Sequence, residues 1–588
     1  MTATATRPVT TTLAIPRPVT IAAILVAGIP FVLHAWVLFT GYFGHDDFVV
    51  LYRAAGKGPF DPAYLFQDYN GHIKPGTFLI AWLVTAIAPL SHTVAVIPLL
   101  AMQLAASVLL WRLLARVFGH RWPVLLPFAV FTFSPLIAFP TLWWAYGMEL
   151  LPLLVTMFGA LGSHVKYLET GERRRIWFTV IWSVAGMAFY EKAVLFVALL
   201  AGITLLLAPA GQRLAALKQH WRVWLVQGVL TALYLVIYIT STATPVRDSP
   251  LSVQAVAELA RRTVVDTFVP GVLGGPWTNS SFGGAISTPS LTLRLVAAGL
   301  AIAIIIFGVL AGRSRAVLAW VLLLGYVAVD LALVITTRLH QVGPLIGNDP
   351  RYIADAVPIA VLCGAFAFLK PGGTETGLRR PLVIGLVALL GASATFSFLQ
   401  LAPGLKFAQS RQYVDTARAG LEANPGITLY DTPVPREIMH EWFVEDGKAS
   451  RVIGLLPGPP KFDQPAETMW ALDDTGTPKK VTGIKEPAIG RPGPYDKCGY
   501  AVGYQTATIP LNRRVDHHSL LRMEYYSTGK GPVTIRLGKA TQDVYFPDGL
   551  HVLYIVVEGG FDRVDINRAT PVDPMCVVNV QVGAPLLR

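Results

Sequence analysis

Between residues 19 and 400 the chain returns repeatedly to long apolar stretches separated by short basic ones. We read eleven spans, at 19–42, 94–112, 122–139, 146–165, 176–190, 192–208, 223–241, 291–311, 316–337, 353–369 and 381–400. Each matches or approaches the ~20 residues a helix needs to cross a ~30 Å hydrocarbon core. Of the 588 residues 53% are hydrophobic and only 14% charged, where a soluble domain carries about a quarter charged. That balance excludes an ordinary cytosolic enzyme, a disordered chain and a disulfide-rich secreted scaffold. The net charge of +12 does not indicate nucleic acid, because much of the Lys and Arg sits between apolar runs. The expected fold is therefore a polytopic α-helical membrane protein in the lipid bilayer.

Charge sets the expected topology. The segment Thr77–Leu90 is apolar but short, which suits a re-entrant or surface-lying helix. With that segment left uncounted, Arg7, Arg17, Arg112, Arg116, Arg121, Lys166, Arg173, Arg213, Lys218, Arg313 and Lys370 fall on one side. The positive-inside rule makes that side cytoplasmic. The N-terminus is then cytoplasmic, the first span an uncleaved anchor, and the chain beyond about residue 405 extracytoplasmic. The expected location is the plasma (inner) membrane, multi-pass. Two domains are expected: a transmembrane domain over 1–404, with outer loops at 43–76 and 242–290, and a β-rich domain over 405–588.

In the second domain Leu521–Tyr526, Val533–Leu537 and His551–Val557 alternate or favour β-branched and aromatic residues, with Gly-containing turns between. This pattern predicts an antiparallel β-sandwich. The Pro- and Gly-rich stretch 457–495 predicts irregular loops. Cys498 and Cys576 share the exported compartment and are expected to pair. Cys363, inside a span, reads as an inert small hydrophobe.

The chemistry concentrates in the first outer loop. It opens Gly44-His45-Asp46-Asp47 and closes His72-Ile73-Lys74-Pro75-Gly76. Adjacent carboxylates repel when both are ionised, so one needs a cation or a strong donor. Such a pair can act as a general base or hold a divalent ion through oxygen; equally, either Asp can cap the helix that follows. Tyr190-Glu191-Lys192 lies at the outer turn between the fifth and sixth spans, and Asn348-Asp349-Pro350-Arg351-Tyr352 opens the tenth. Lys74, Lys192, Arg351, Arg338 and His340 form an outer basic set suited to an anionic phosphate. Each also has a plain reading as an ion pair or interfacial anchor. Glu149 and Asp330 lie inside spans near the outer half, where either can pair internally with a cation. Neither a metal signature nor a Walker-type or GxGxxG loop is present.

These features resemble the GT-C superfamily of membrane glycosyltransferases. The likeness rests on Asp46-Asp47 at the end of the first span, on Lys74-Pro75 closing the first outer loop, and on Arg351-Tyr352 with Pro358 opening a late span. The layout is similar to the actinobacterial arabinofuranosyltransferases. One departure is Gly76, where many relatives carry a second Pro. The resemblance implies a polyprenyl-phosphate sugar as donor, arabinofuranose ahead of mannose, and a cell-envelope polysaccharide or glycolipid as acceptor. It implies inverting transfer on the outer face, Asp46 or Asp47 as base, and Lys74, Lys192, Arg351, Arg338 and His340 near the donor phosphate, with His45, His72, Glu191 and Tyr352 supporting. No cofactor is required, a divalent cation being optional. The exported domain would resemble carbohydrate-binding modules, with Trp470, Tyr495, Tyr525 and Tyr526 as stacking candidates or, more commonly, packing residues. A lipid-linked-sugar transporter and a non-catalytic envelope assembly protein are the competing readings.

Overall fold

The computed structural model describes residues 17–242, 252–278, 287–373, 378–503, 505–568 and 574–588. Arg7 and the Asn279-Ser280-Ser281 sequon lie outside them. The chain forms two compact units, one running to Phe43 and over Arg53–Phe407, the other formed by Gly44–Tyr52 and Ala408–Arg588.

Among the described residues of the first unit eight helical segments are long and apolar enough to cross a membrane. They begin with Pro18–Thr40, His92–Phe118, Trp122–Thr141 and Trp144–Thr170. Trp221–Ser241, Leu291–Gly312, Ser314–Thr337 and the segment starting at Arg380 complete the set. Trp122–Thr141 and Trp144–Thr170 are the most enclosed, the latter burying residues on every face, from Trp144 and Met148 to Leu161 and Val165. Gly171, left-handed at φ 69°, terminates it. Leu291–Gly312 instead turns Leu295, Leu300, Ile305 and Phe307 outward. Exposed apolar faces of this size suit lipid, not water.

Three of the eleven expected spans form shorter helices. Arg174–Met187 has 14 residues, and Phe196–Leu207 and Val357–Phe368 have 12 each. At 1.5 Å per residue these measure about 18–21 Å, short of a full crossing. The cause is local. A 3-10 turn over Glu191–Leu195 precedes Phe196, and turns over Pro350–Tyr352 and Ala354–Ala356 precede Val357. Charged residues at these places leave the helical register to reach partners inside the bundle. The re-entrant candidate is a 13-residue helix, Pro75–Ile87.

The second unit is built on two sheets. The larger runs, strand by strand, Gly549–Val557, Ser519–Ser527, Met575–Leu587, Pro478–Ile489, Met469–Leu472, Thr428–Tyr430 and Lys461–Phe462. The smaller runs Ala507–Val515, Phe561–Asn567, Gly531–Leu537, Ala540–Phe546. Inward side chains of both sheets, including Met523, Tyr525, Ile555, Ile535, Phe546 and Ile566, form one core. Two expectations change here. Thr428–Tyr430 pairs in parallel with both its neighbours, so the larger sheet is mixed. The stretch expected as loops contains the 12-residue strand Pro478–Ile489. It absorbs Pro487 at a register shift between Lys485 and Ala488, beside Glu486 at φ 45°; a bulge tolerates the missing N–H. Cys498 and Cys576 are bridged, with Cα atoms 4.9 Å apart. Cys363 is a buried free thiol. Tyr525 is buried in the core, whereas Tyr495 and Tyr526 are exposed and Trp470 is half-buried.

Candidate functional site

The first loop is shaped by a two-residue turn. Tyr69 and His72 exchange both main-chain hydrogen bonds at 3.0 Å, while Asn70 and Gly71 adopt φ of 54° and 83°. Asn-Gly is the pair that tolerates two positive φ values in a tight hairpin. Asp68 Oδ1 accepts from the Gly71 N–H at 2.8 Å. Two residues beyond, Lys74 precedes the helix Pro75–Ile87. The departure at Gly76 has a structural reason. Its N–H donates to Ala188 O at 2.8 Å, and a Cβ there would meet the Phe189 ring at 2.7 Å. A proline would lack the donor and collide.

The basic set converges on the carboxylates of the bundle. Lys74, 2% exposed, donates to Glu149 and lies 4.5 Å from the Tyr69 ring centroid. Lys192 Nζ sits 2.8 Å from Asp330 Oδ1 and 2.7 Å from Asp355 Oδ1, and both carboxylates are fully buried. Tyr326 donates to the other oxygen of Asp355 at 2.8 Å. Glu149 and Asp330 thus find the partners that their positions require. Asp355 and Tyr326 were not legible: neither stands in a motif, and only the fold brings them to Lys192. Tyr190 joins the parts, its ring 6.4 Å from those of His72 and Tyr146.

His72 Nδ1 is 3.0 Å from Glu191 Oε1, and its Nε2 is 3.0 Å from Arg338 Nη2. Burial lowers the His72 pKa, while the charge of Glu191 and their hydrogen bond raise it by more, so the net shift is upward. For Glu191 burial raises the pKa, and the charge of His72 with their hydrogen bond lowers it by more, leaving it below the ordinary value. Arg338 also donates to Asn70 O at 2.9 Å and to Gln341 Oε1 at 3.3 Å. Arg351 turns its Nε and Nη2 onto one oxygen of Asp349, at 2.8 and 2.6 Å. Its guanidinium lies 4.3 Å from the Trp143 ring centroid, and Tyr146 donates to its carbonyl. Tyr352 is half-buried, and burial raises its pKa. His340 is half-buried on the short helix Leu339–Val342.

Charge is nearly balanced in this cluster. Lys74, Lys192 and Arg351 each have a carboxylate at ion-pair distance. Among the described residues none lies that close to Arg338, whose partners are Gln341, Asn70 O and the His72 ring. Buried lysines without such partners would be strongly disfavoured.

The acidic pair belongs to the other unit. Asp46 and Asp47 begin the helix Asp46–Ala54. His45 precedes them at φ 50°, and its N–H donates to Ile438 O at 2.9 Å. Asp47 is fully buried, and its Oδ2 accepts from the Gly44 N–H at 2.9 Å. Asp46 is only half-buried. The expected capping role is not the one found: Asp47 lies in the first turn of the helix and reaches back to the Gly44 N–H, fastening the turn that enters it. Among the described residues no three His, Cys, Asp or Glu side chains are grouped to hold one metal ion.

Some solved structures are similar to this chain. One is ArnT from Cupriavidus metallidurans bound to undecaprenyl phosphate, at 13% identity and a TM-score of 0.40, covering 78% of this chain and 94% of that one. Another is arabinofuranosyltransferase AftD from Mycobacteria, at 11% identity and a TM-score of 0.40, covering 96% of this chain. This chain spans only 58% of that protein's length. The sequence matches no protein-family model and no curated protein.

Proposed function

We propose that the protein is an inverting glycosyltransferase acting on the outer face of the plasma membrane, with its N-terminus cytoplasmic and its β-rich domain extracytoplasmic. The donor is a polyprenyl-phosphate sugar, arabinofuranose ahead of mannose, and the acceptor a cell-envelope polysaccharide or glycolipid. The observation that carries this reading is convergence. His72, Lys74, Glu191, Lys192 and Arg338 come from three distant stretches and meet where apolar helices end. Such a place accepts a lipid tail beside an anionic head group.

In this reading Asp46 takes the proton of the acceptor hydroxyl as that oxygen attacks the anomeric carbon. Asp47, committed to Gly44, orients the turn. The bond to the phosphate breaks on the opposite face, and the leaving phosphate gains negative charge. Arg338 best suits that charge, because no carboxylate neutralises it. Lys74 and Lys192, each paired with a buried carboxylate, serve structure, with Arg351, Tyr352 and His340 as further candidates near the donor. The β-rich domain positions the acceptor, with exposed Tyr495 and Tyr526 available to sugar rings. A divalent cation is optional.

The test is a transfer assay in nanodiscs with polyprenyl-phosphate arabinose and polyprenyl-phosphate mannose offered separately. Loss of a general base costs about 10²–10⁴ in rate, so Asp46→Asn should lose turnover while still binding donor. Donor binding without turnover of either sugar in the native protein would overturn the reading. A transporter would draw on Asp330, a carboxyl group two turns inside a span. Movement of intact donor across sealed vesicles would favour it.

A further inference from the structure

We propose that His72 is the positioning residue for Arg338, holding the guanidinium through an unprotonated Nε2 and releasing it when the ring takes a second proton. A guanidinium carries only donors. A contact of 3.0 Å between Arg338 Nη2 and His72 Nε2 therefore requires the lone pair on Nε2. The single ring proton then lies on Nδ1, directed at Glu191 Oε1 3.0 Å away. The geometry selects one tautomer of the neutral ring.

The support for the ring is rigid. His72 ends the Tyr69–His72 turn, closed by two main-chain hydrogen bonds. The same turn presents Asn70 O to the same Nη2 at 2.9 Å. One nitrogen of Arg338 is thus gripped by a side chain and a carbonyl two residues apart. Around the ring stand Glu191 and Tyr190 from the 190–192 turn, Arg338 from the end of its helix, and Lys74 and Glu149 at longer range. The His72 side chain keeps 23% exposure, so water can deliver a proton.

The exchange balances simply. A proton from solvent binds Nε2, and the Arg338 Nη2–H···Nε2 hydrogen bond breaks. The imidazolium keeps Glu191, while Arg338 is left with Asn70 and Gln341. Glu191 favours the second proton, which brings the exchange toward neutral pH. Arg338 is the cation of the cluster without a carboxylate, so its placement matters for an anionic ligand. This consequence for the donor rests on the function proposed above.

The experiment uses the full chain in nanodiscs, from about pH 5.5 to 8.5, the range in which an imidazole titrates. Donor KM and kcat are measured separately, and thermal stability is measured without donor. In the native protein KM should rise about tenfold on acidification, the worth of one charge-assisted hydrogen bond, with kcat little changed. His72→Gln keeps an acceptor that cannot be protonated, so its KM should be flat. Arg338→Gln should show a raised KM at every pH. Glu191→Gln, a second variant should His72→Gln fold poorly, should move the rise in KM to lower pH. Without donor, the Tm gap between native and Arg338→Gln proteins should narrow on acidification. An unchanged KM profile in His72→Gln, or a Tm gap constant with pH, would overturn the proposal. Absence of turnover together with the expected Tm pattern would instead sink the transferase reading and leave the His72–Arg338 coupling standing.

Discussion

Replacing Lys192 by Met is the sharpest test of how the bundle is held together. The ammonium lies 2.8 and 2.7 Å from two fully buried carboxylates. At an effective dielectric constant of about 20, each attraction is about 6 kcal/mol before desolvation is subtracted. Desolvation consumes most of that, so an intact buried pair adds little net stability; removing one partner, however, typically costs about 3–5 kcal/mol. Here the loss strands both Asp330 and Asp355, which then also repel each other. Tyr326 relieves only one oxygen of Asp355. For a unit of this size, at an unfolding entropy of about 2.1 cal/mol/K per residue, this corresponds to a Tm lower by roughly 4–6 °C, read by tryptophan fluorescence during heating in detergent. The triple variant Lys192→Met, Asp330→Asn, Asp355→Asn removes all three charges at similar volume and should recover most of the loss. A Tm for Lys192→Met within about 1 °C of native would refute the buried-triad account. Selective loss of donor affinity with unchanged Tm would return Lys192 to the phosphate.

Other expectations follow from particular contacts. The Cys498–Cys576 bridge closes a separation of 78 residues, so Cys498→Ser with Cys576→Ser should cost about 2–5 kcal/mol. Peptide mapping that recovers both as free thiols in the native protein would remove the prediction. For the His72–Glu191 pair, the raised His72 pKa gives stability that is full below the unfolded value and fades as pH rises through the folded one. The lowered Glu191 pKa gives stability that is present above its unfolded value and fades as pH falls through the folded one. The Tm deficit of Glu191→Gln should therefore peak at mildly acidic pH and shrink on both sides; a deficit that grows toward alkaline pH would contradict it. Gly76→Pro loses the hydrogen bond to Ala188 O and crowds Phe189, which should cost about 1–3 kcal/mol. Gly76→Ala, which keeps the N–H, should cost less, and equal losses would show that the donor is unimportant.

Much of the fold follows from local pattern. Runs such as Leu291–Gly312 carry no charge beyond Arg294 in the first turn and can be little other than lipid-facing helices. Alternation in Ser519–Ser527 and Gly531–Leu537 marks strands with one buried face. The pairing of the cysteines followed from their shared compartment. Helix lengths near charged residues were less legible. Composition treats 192–208 as continuous, whereas Lys192 leaves the helix axis to reach Asp330 and Asp355. Strand Pro478–Ile489 was hidden by its prolines, because a bulge that accommodates one depends on the neighbouring strand.

The site divides in the same way. Residue types and order identified His72, Lys74, Glu191, Lys192, Arg338 and Arg351 as a basic and acidic set, and motif likeness identified Asp46 and Asp47. Nothing local distinguishes a lysine poised for a ligand from one sealed against a carboxylate. Glu149 lies 75 residues from Lys74, and Asp355 lies 163 from Lys192. Ion-pair partners are chosen through space at a few ångströms, and their energy depends on burial that only packing creates. Apolar runs and alternation are properties of neighbouring residues, so the sequence alone determined the long membrane helices and the alternating strands such as Ser519–Ser527 and Gly531–Leu537. The tertiary structure decided which charges cancel, and it left Arg338 as the cation of the cluster without a carboxylate at ion-pair distance.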